Sequence, residues 1–244
     1  EQRLIFDLRD DPINTRKGLY LALAVQEGFS VKGNGASYFR FLPEARAFAE
    51  LPFGVVLAAH ARVGLLTAPA AVPIVAEFTS GGPTAMRGYY TRQLSPVFGP
   101  YCPVALDGKG NCPAGTQYLP VGGAGLVDGS FELRFPLAGQ LGGATFLDFG
   151  NVRFKAADAL NIANLQYAVG GGIRYKTVFG PLRLDVAYRL PGPDGQPGVE
   201  IVQPQRAPDC PPAPQACTRS VFQPTGTYHH FPFISVHLTI GEAF

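Results

Sequence analysis

The sequence is poor in charge, contains no tryptophan and only one methionine, and has no long uninterrupted apolar run. Charged residues make up 16% of the 244 residues, below the roughly 25% usual in soluble domains. With 46% hydrophobic residues, this balance favours a surface that meets lipid over one that meets water. No stretch approaches the ~18 consecutive apolar residues of a membrane helix.

Several function classes lack their sequence signals. The formal net charge of +2, without a dense run of lysine and arginine, argues against a nucleic-acid partner. No Gly-x-Ser-x-Gly elbow occurs, so we expect neither an enzyme nor a cofactor. The first residues, Glu-Gln-Arg-Leu-Ile-Phe, do not form a signal peptide, and we interpret them as a mature or truncated start.

The four cysteines form two close pairs, Cys102 with Cys112 and Cys210 with Cys217, in stretches rich in glycine and proline. Local disulfides within exposed loops would suit an oxidising compartment. A metal site is the competing interpretation, but the chain has only four histidines and no Cys-x-x-Cys, so we expect no metal. Three disulfide connectivities remain possible.

The dominant hydrophobic period is two, which indicates β-strands. In segment 182–190, leucine, valine and tyrosine alternate with Arg183, Asp185, Ala187 and Arg189. Apolar side chains on one face and small or charged ones on the other are typical of the outer and inner walls of a membrane barrel. A soluble sandwich would also alternate, so the period alone does not separate the two folds.

The lengths of the connections favour the barrel. Short turns alternate with two long links, 67–120 and 191–228, each holding one cysteine pair. Outer-membrane barrels combine short periplasmic turns with long external loops, whereas such long loops are unusual within a compact soluble domain.

We expect about nine strands, at 2–9, 17–28, 36–49, 54–66, 121–136, 141–154, 165–178, 180–191 and 229–243. An odd, open set would leave bare edges in hydrocarbon, so we expect further strands from a missing N-terminal part or from another chain.

Residues 81–89 read Gly-Gly-Pro-Thr-Ala-Met-Arg-Gly-Tyr. This resembles the loop-six signature of the BamA/TamA-like superfamily of outer-membrane assembly and translocation barrels. Segments 130–136, 145–152, 170–185 and 240–244 resemble further family strands in the expected order. The resemblance implies an all-β fold, an antiparallel transmembrane β-barrel of which residues 1–244 form one partial domain. The chain would supply eight or nine of sixteen strands, with long extracellular loops.

The same resemblance implies that loop six, residues 67–120, folds into the lumen and that Arg87 meets Glu132 and Asp148. Strand parity supports this, because both carboxylates lie opposite apolar neighbours and would face inward, where a guanidinium could bridge them. Gly88 would permit a tight turn, and Tyr89 would pack against the wall. The alternative is that Arg87 is an ordinary solvated loop charge.

The last strand has two interpretations. It is a wall strand whose outward face we expect to carry Ile234, Val236, Leu238, Ile240 and Phe244, opposite Gly241 and His237. In assembly members of the family, the corresponding strand, here Ile240, Gly241 and Phe244, also lies at a lateral seam and resembles a sorting signal.

The resemblance implies an assembly or insertion factor that folds client barrels at this seam without nucleotide. The alternatives are a polypeptide-translocating pore of the two-partner type and a translocator barrel of a patatin-like autotransporter. The implied location is the bacterial outer membrane. The implied partners are lipid and lipopolysaccharide, unfolded client outer-membrane proteins, periplasmic POTRA domains and accessory lipoproteins.

Overall fold

The computed structural model describes residues 1–29, 37–68, 72–101, 117–178, 180–191, 198–206, 220–228, 233–241 and 244. Most of these residues form one antiparallel sheet, which we call the wall. Its strands are β1 Gln2–Asp7, β2 Gly18–Gly28, β3 Tyr38–Glu50, β4 Val56–Thr67, β7 Gly125–Ala138, β8 Leu141–Arg153, β9 Gln166–Thr177, β10 Gly180–Arg189 and β13 Ile234–Ile240. The nine strands lie at the nine positions that the alternating pattern predicts.

Every neighbouring pair in the wall is antiparallel, in the order β1-β2-β3-β4-β7-β8-β9-β10-β13. Within the described residues, β1 and β13 each have one strand partner, so the sheet is an open part of a barrel. Each bare edge exposes a row of unpaired backbone groups, which hydrocarbon does not tolerate. Further strands are therefore needed to complete a membrane barrel.

Burial in the wall is the reverse of burial in a soluble sheet. On β10, Arg183, Asp185 and Arg189 are fully buried, whereas Leu184 and Val186 between them are exposed. The same inversion holds on β7, where Glu132 is buried and Phe131 is exposed. The period-two alternation thus places charge on the concave side and apolar side chains on the convex side, as a lipid-facing barrel requires.

The two long links contain strands that the sequence did not predict. They are β5 Val97–Tyr101, β6 Gln117–Pro120, β11 Val199–Arg206 and β12 Ser220–Tyr228, which form a second sheet in the order β12-β11-β5-β6. We call it the cap sheet. Strands β5 and β11 pair in parallel and join the two links. The alternating pattern gave no strand in either link, whereas Val199–Arg206 and Ser220–Tyr228 pair as a hairpin and Val199–Arg206 also pairs with the distant β5.

The cap sheet is attached to the wall by packing and by one carboxylate. Val97 and Val199 belong to the same buried cluster as Leu66 and Leu126 of the wall. Glu200 accepts a hydrogen bond from the backbone N–H of Phe154 at 2.8 Å. All four cysteines lie outside the described residues, so the two disulfides remain a prediction.

A short helix, α1 Ala156–Ala159, connects β8 to β9. It packs closely on β7, where a Cβ at Gly125 would lie 2.5 Å from the Cβ of Ala159. The alternating pattern did not predict this helix. No helix in the described ranges is long and apolar enough to cross a membrane.

Candidate functional site: the plug and the arginine cluster

Residues 72–96, which we call the plug, run from the end of β4 along the concave side of the wall to β5. Two isolated bridges shape the segment, Phe78 with Gly123 and Ser80 with Leu94. Gly81 has a φ of 103°, and a Cβ there would lie 2.5 Å from the carbonyl oxygen of Tyr90. The Gly-Gly pair of the motif is thus required by the backbone, since an L side chain would be both strained and too close.

Arg87, at the tip of the plug, lies in what we call the arginine cluster, which comprises Arg87, Ser130, Glu132 and Asp148. Its guanidinium donates to Glu132 Oε2 at 2.5 Å, to both oxygens of Asp148 at 2.7 and 2.9 Å and to Ser130 Oγ at 2.9 Å. The backbone N–H of Arg87 also donates to Asp148, at 2.8 Å. The structure therefore brings together the three charged residues that the sequence singled out.

The arginine cluster is buried and is extended by two further arginines. The side chains of Arg87, Glu132 and Asp148 are 1%, 0% and 0% exposed. The second oxygen of Glu132 accepts from Arg134 and Arg174, each at 2.6 Å. A buried ion pair is strongly destabilised when one partner is removed, because the other charge is left without compensation. Each carboxylate here has several cationic or hydroxyl partners, so the charges are mutually compensated.

The electrostatic balance keeps Arg87 charged. Burial alone would lower the pKa of its guanidinium, but attraction by Asp148 and then Glu132 outweighs burial and raises that pKa above its usual value. The guanidinium also stacks over the Phe146 ring, 3.4 Å from its centroid. The guanidinium of Arg87 therefore stays charged in this contact.

Gly88 and Tyr89 follow Arg87 and contact β9 and β10. Gly88 does not have a positive φ; a Cβ there would lie 2.5 Å from the Cβ of Ala168. Close approach to the wall, and not a left-handed turn, is thus the reason for glycine. Tyr89 is fully buried under the guanidinium of Arg189, 3.7 Å from the ring centroid. Burial raises the pKa of Tyr89 to about 12.

Two arginine side chains of strand β10 also bind the backbone of the plug. Arg183 donates to the carbonyl oxygen of Pro83 at 2.9 Å, and Arg189 donates to that of Gly88 at 2.9 Å. Arg183 also forms an ion pair with Asp185, at 2.8 Å. Arg189 thus binds both the carbonyl oxygen of Gly88 and the ring of Tyr89.

A third carboxylate, Asp128, binds the plug near its start, at Ser80. Asp128 on β7 accepts from Ser80 at 2.8 Å and from the guanidinium of Arg62 on β4 at 2.6 and 3.0 Å. The plug is therefore attached at two points, Ser80 near its start (its root) and Arg87 at its tip, to inward residues of the same strand, β7. Among the described residues, no group of three or more histidine, cysteine, aspartate or glutamate side chains could hold a metal ion.

An Omp85 superfamily domain profile matches residues 1–223. The chain belongs to the Omp85 superfamily. A solved structure with a similar fold is BamA from Haemophilus ducreyi lacking POTRA domains 1–3, with a TM-score of 0.61 and 15% sequence identity. The match covers 77% of this chain and 38% of that one, so this Omp85 chain spans well under half the length of its structural neighbour.

The last residue of this Omp85 chain does not lie where the alternating pattern placed it. Ile234, Val236, Leu238 and Ile240 are exposed on the convex face as predicted, but Phe244 is buried on the concave side. Its ring stacks on His60, with centroids 5.2 Å apart, and packs against Phe48 at 6.2 Å. The prediction of an outward Phe244 was wrong because the alternation ends with β13: Gly241 has a φ of 103°, which breaks the extended backbone.

Several residues of the site were not singled out from the sequence. Ser130, Arg134 and Arg174 lie on the inward faces of their strands, yet nothing in the local sequence pattern marked them as partners of the arginine cluster. Their common signal is strand parity: each lies an even number of residues from another inward residue of its own strand. Strand parity identifies the inward face. Only the position of the plug decides which residues of that face contact the arginine cluster.

Proposed function

We propose that this chain is the C-terminal part of a bacterial outer-membrane barrel that assembles or inserts client outer-membrane β-barrels, without nucleotide, metal or catalytic residue. The observation that carries the proposal is the plug, which is seated by buried contacts with the middle of the wall and with its last strand. Met86 and Tyr89 of the plug are fully buried against the wall, and Arg87 is bound by Glu132, Asp148 and Ser235.

The seated plug favours client assembly at the last strand over conduction of a polypeptide through the pore. An unfolded polypeptide could pass along the lumen only if the plug left it, and leaving would break the arginine cluster and the contacts of Arg183 and Arg189 with plug carbonyls. The last strand of the wall, in contrast, corresponds to the lateral seam of the assembly members that the sequence resembles, and a strand whose pairing opens at a seam presents backbone groups that can template an incoming strand. The proposed partners are therefore unfolded client barrels, outer-membrane lipid and lipopolysaccharide, with periplasmic POTRA domains and accessory lipoproteins supplying the clients.

Within this proposal, Arg87, Gly88, Tyr89, Glu132 and Asp148 form a lock that keeps the plug seated. Ile240, Gly241 and Phe244 belong to the seam at the end of the wall. Arg87→Ala should lower the temperature at which the folded band disappears on semi-native gels and should reduce client insertion, because it leaves Asp148 buried without its cation and removes one of the three cations that bind Glu132. Arg92→Ala is the matched control, since Arg92 is an exposed arginine of the plug. Equal behaviour of the two variants would contradict the lock.

Depletion of the full-length protein tests the function itself. An assembly factor should lose many outer-membrane barrels at once, whereas a two-partner pore or an autotransporter barrel should lose a single secreted substrate. The measurement is quantitative proteomics of outer-membrane and secreted fractions after depletion. Loss of one secreted protein with an otherwise normal outer membrane would overturn the proposal.

A further inference from the structure

The edge strand β13 is bound to the plug from inside the barrel. Ser235 Oγ donates to the carbonyl oxygen of Arg87 at 2.5 Å, and His237 Nε2 lies 2.8 Å from the same oxygen. Because a carbonyl oxygen only accepts, His237 must carry its proton on Nε2 in this contact. A carbonyl oxygen has two lone pairs, so one atom can accept both bonds.

These two side chains occupy successive inward positions of β13 and are both buried, Ser235 fully and His237 to 7% exposure. The His237 ring also contacts Tyr90 of the plug, with centroids 5.5 Å apart. The next inward residue, Thr239, has a buried Oγ1 without a hydrogen-bond partner among the described residues. Binding to the plug is therefore a property of two positions and not of the whole inward face.

Arg87 consequently contacts three strands. Its side chain is held by β7 and β8 through Glu132 and Asp148, and its carbonyl oxygen is held by β13. In the wall, β13 is separated from β8 by β9 and β10. One residue of the plug thus joins the middle of the wall to its edge across the lumen.

We infer that Ser235 and His237 are positioning residues that make the order of the β13 edge depend on the seating of Arg87. The two side-chain bonds to the plug add to the backbone bonds that β13 makes with β10. When Arg87 leaves Glu132 and Asp148, its carbonyl oxygen moves with it, and β13 loses both bonds. Coupling of this kind is reciprocal, so fixing β13 should also favour a seated plug.

The inference concerns the mechanics of the barrel and can be tested without a client protein. Amide hydrogen exchange of β13 is measured in the full-length protein in native outer-membrane vesicles, with β9 as the internal reference. The Ser235→Ala/His237→Ala variant should raise exchange of β13 amides roughly tenfold, since two buried hydrogen bonds are lost. Arg87→Ala should raise exchange at β13 to a similar extent, although it removes no atom that touches β13.

The decisive comparison is the triple variant. If the plug and β13 are coupled, Arg87→Ala adds little to the exchange of the Ser235→Ala/His237→Ala protein, because the same link is already broken. Full additivity, or β13 exchange that is unchanged by Arg87→Ala, would overturn the inference. Thr239→Val is the matched control on the same face of the same strand and should leave exchange unchanged.

Two further variants keep the test informative if the double variant does not assemble. Ser235→Ala alone removes one hydroxyl and should give a smaller rise at β13. His237→Gln retains an N–H at the end of a side chain of similar reach and should restore slow exchange relative to His237→Ala. If the two His237 variants exchanged equally fast, the hydrogen bond to Arg87 would not be what orders β13. None of these outcomes depends on which proteins the barrel inserts, so failure here would leave the proposed function untouched.

Discussion

The two halves of the wall carry similar inward chemistry but differ in what covers it. On β3 and β4, Glu44, Arg46 and Arg62 have side chains that are 14%, 24% and 25% exposed. On β7 and β8, Glu132 and Asp148 are fully buried. Residue type alone does not account for this difference, because inward charged residues occur at alternate positions in both halves. The plug lies against β7 to β10, and its presence converts solvated lumen charges into a buried network.

The comparison shows where electrostatics should matter energetically. Pairs that keep some exposure, such as Arg46 with Glu44 at 2.6 Å, are screened by water more than the arginine cluster is. Buried ion pairs with several hydrogen bonds do not necessarily stabilise a fold relative to apolar packing. Removing one partner, however, lowers the stability of the fold strongly. The arginine cluster therefore selects one seated position of the plug, and the β3–β4 charges leave their part of the lumen adaptable.

The largest effect is expected from neutralising the shared carboxylate of the buried half. Glu132→Gln should lower the free energy of unfolding by about 3–5 kcal/mol, because Arg87, Arg134 and Arg174 lose a common counter-charge. Glu44→Gln is the matched change on β3 and should cost less than Glu132→Gln, because Glu44 keeps 14% exposure and binds one arginine where Glu132 binds three. Urea unfolding in lipid vesicles measures both. Equal losses would show that burial by the plug does not distinguish the two halves.

A smaller effect is expected at Phe244, which reaches the exposed half from the end of β13. Phe244→Ala should cost about 1.5–3 kcal/mol, the value for one buried aromatic side chain, because the contacts with Phe48 and His60 are lost. Phe131→Ala, on the lipid-facing side of β7, is the control and should cost less. Thermal loss of the folded gel band is a sufficient measurement. A Phe244→Ala protein as stable as the native one would place that ring outside the lumen.

Gly88 tests how closely the plug approaches the buried half. Gly88→Ala should destabilise the barrel by about 1–3 kcal/mol, because the added Cβ meets Ala168 and the plug must move away. Gly226→Ala, on the cap sheet, adds a Cβ whose nearest neighbour is 3.9 Å away and should have almost no effect. If Gly88→Ala were tolerated as well as Gly226→Ala, the plug would not be tightly seated.

The smallest effect concerns pH at the root of the plug. Burial raises the pKa of Glu77 to about 7 from its ordinary value of 4.5, and its Oε2 lacks a hydrogen-bond partner among the described residues. The folded state therefore binds the proton more tightly than the unfolded state. The ionised form is the penalised one, so plug stability should fall as pH rises from about 4.5 to about 7 and then level off.

Protease accessibility of the plug between pH 5 and 8 measures this dependence. Glu77→Gln should remove it and leave the plug as protected at pH 8 as the native protein is at pH 5. Glu50→Gln, an exposed residue at the end of β3, is the control and should keep the native pH profile. An unchanged profile in Glu77→Gln would assign the titration to another group.

The nine wall strands could be predicted from the sequence because alternation is local: each residue's face follows from its neighbours two positions away. The cap sheet could not, since β5 and β11 pair across about a hundred residues and their segments carry many prolines and glycines. Phe244 was misplaced for a related reason. A single positive-φ glycine, Gly241, ends the alternation, and no local pattern indicates where the chain then goes.

For the site, the sequence by itself determined which side chains face the lumen and, through the resemblance of residues 81–89, which arginine would meet which carboxylates. Only the tertiary structure decided that Gly88 is needed for close approach, that Arg189 binds the plug backbone, and that Ser235 and His237 share the carbonyl oxygen of Arg87. The face of the sheet on which a side chain lies is set by backbone geometry within one strand. Which residues an inward side chain contacts depends on the position of the plug, a segment far away in sequence. Long-range packing sets that position.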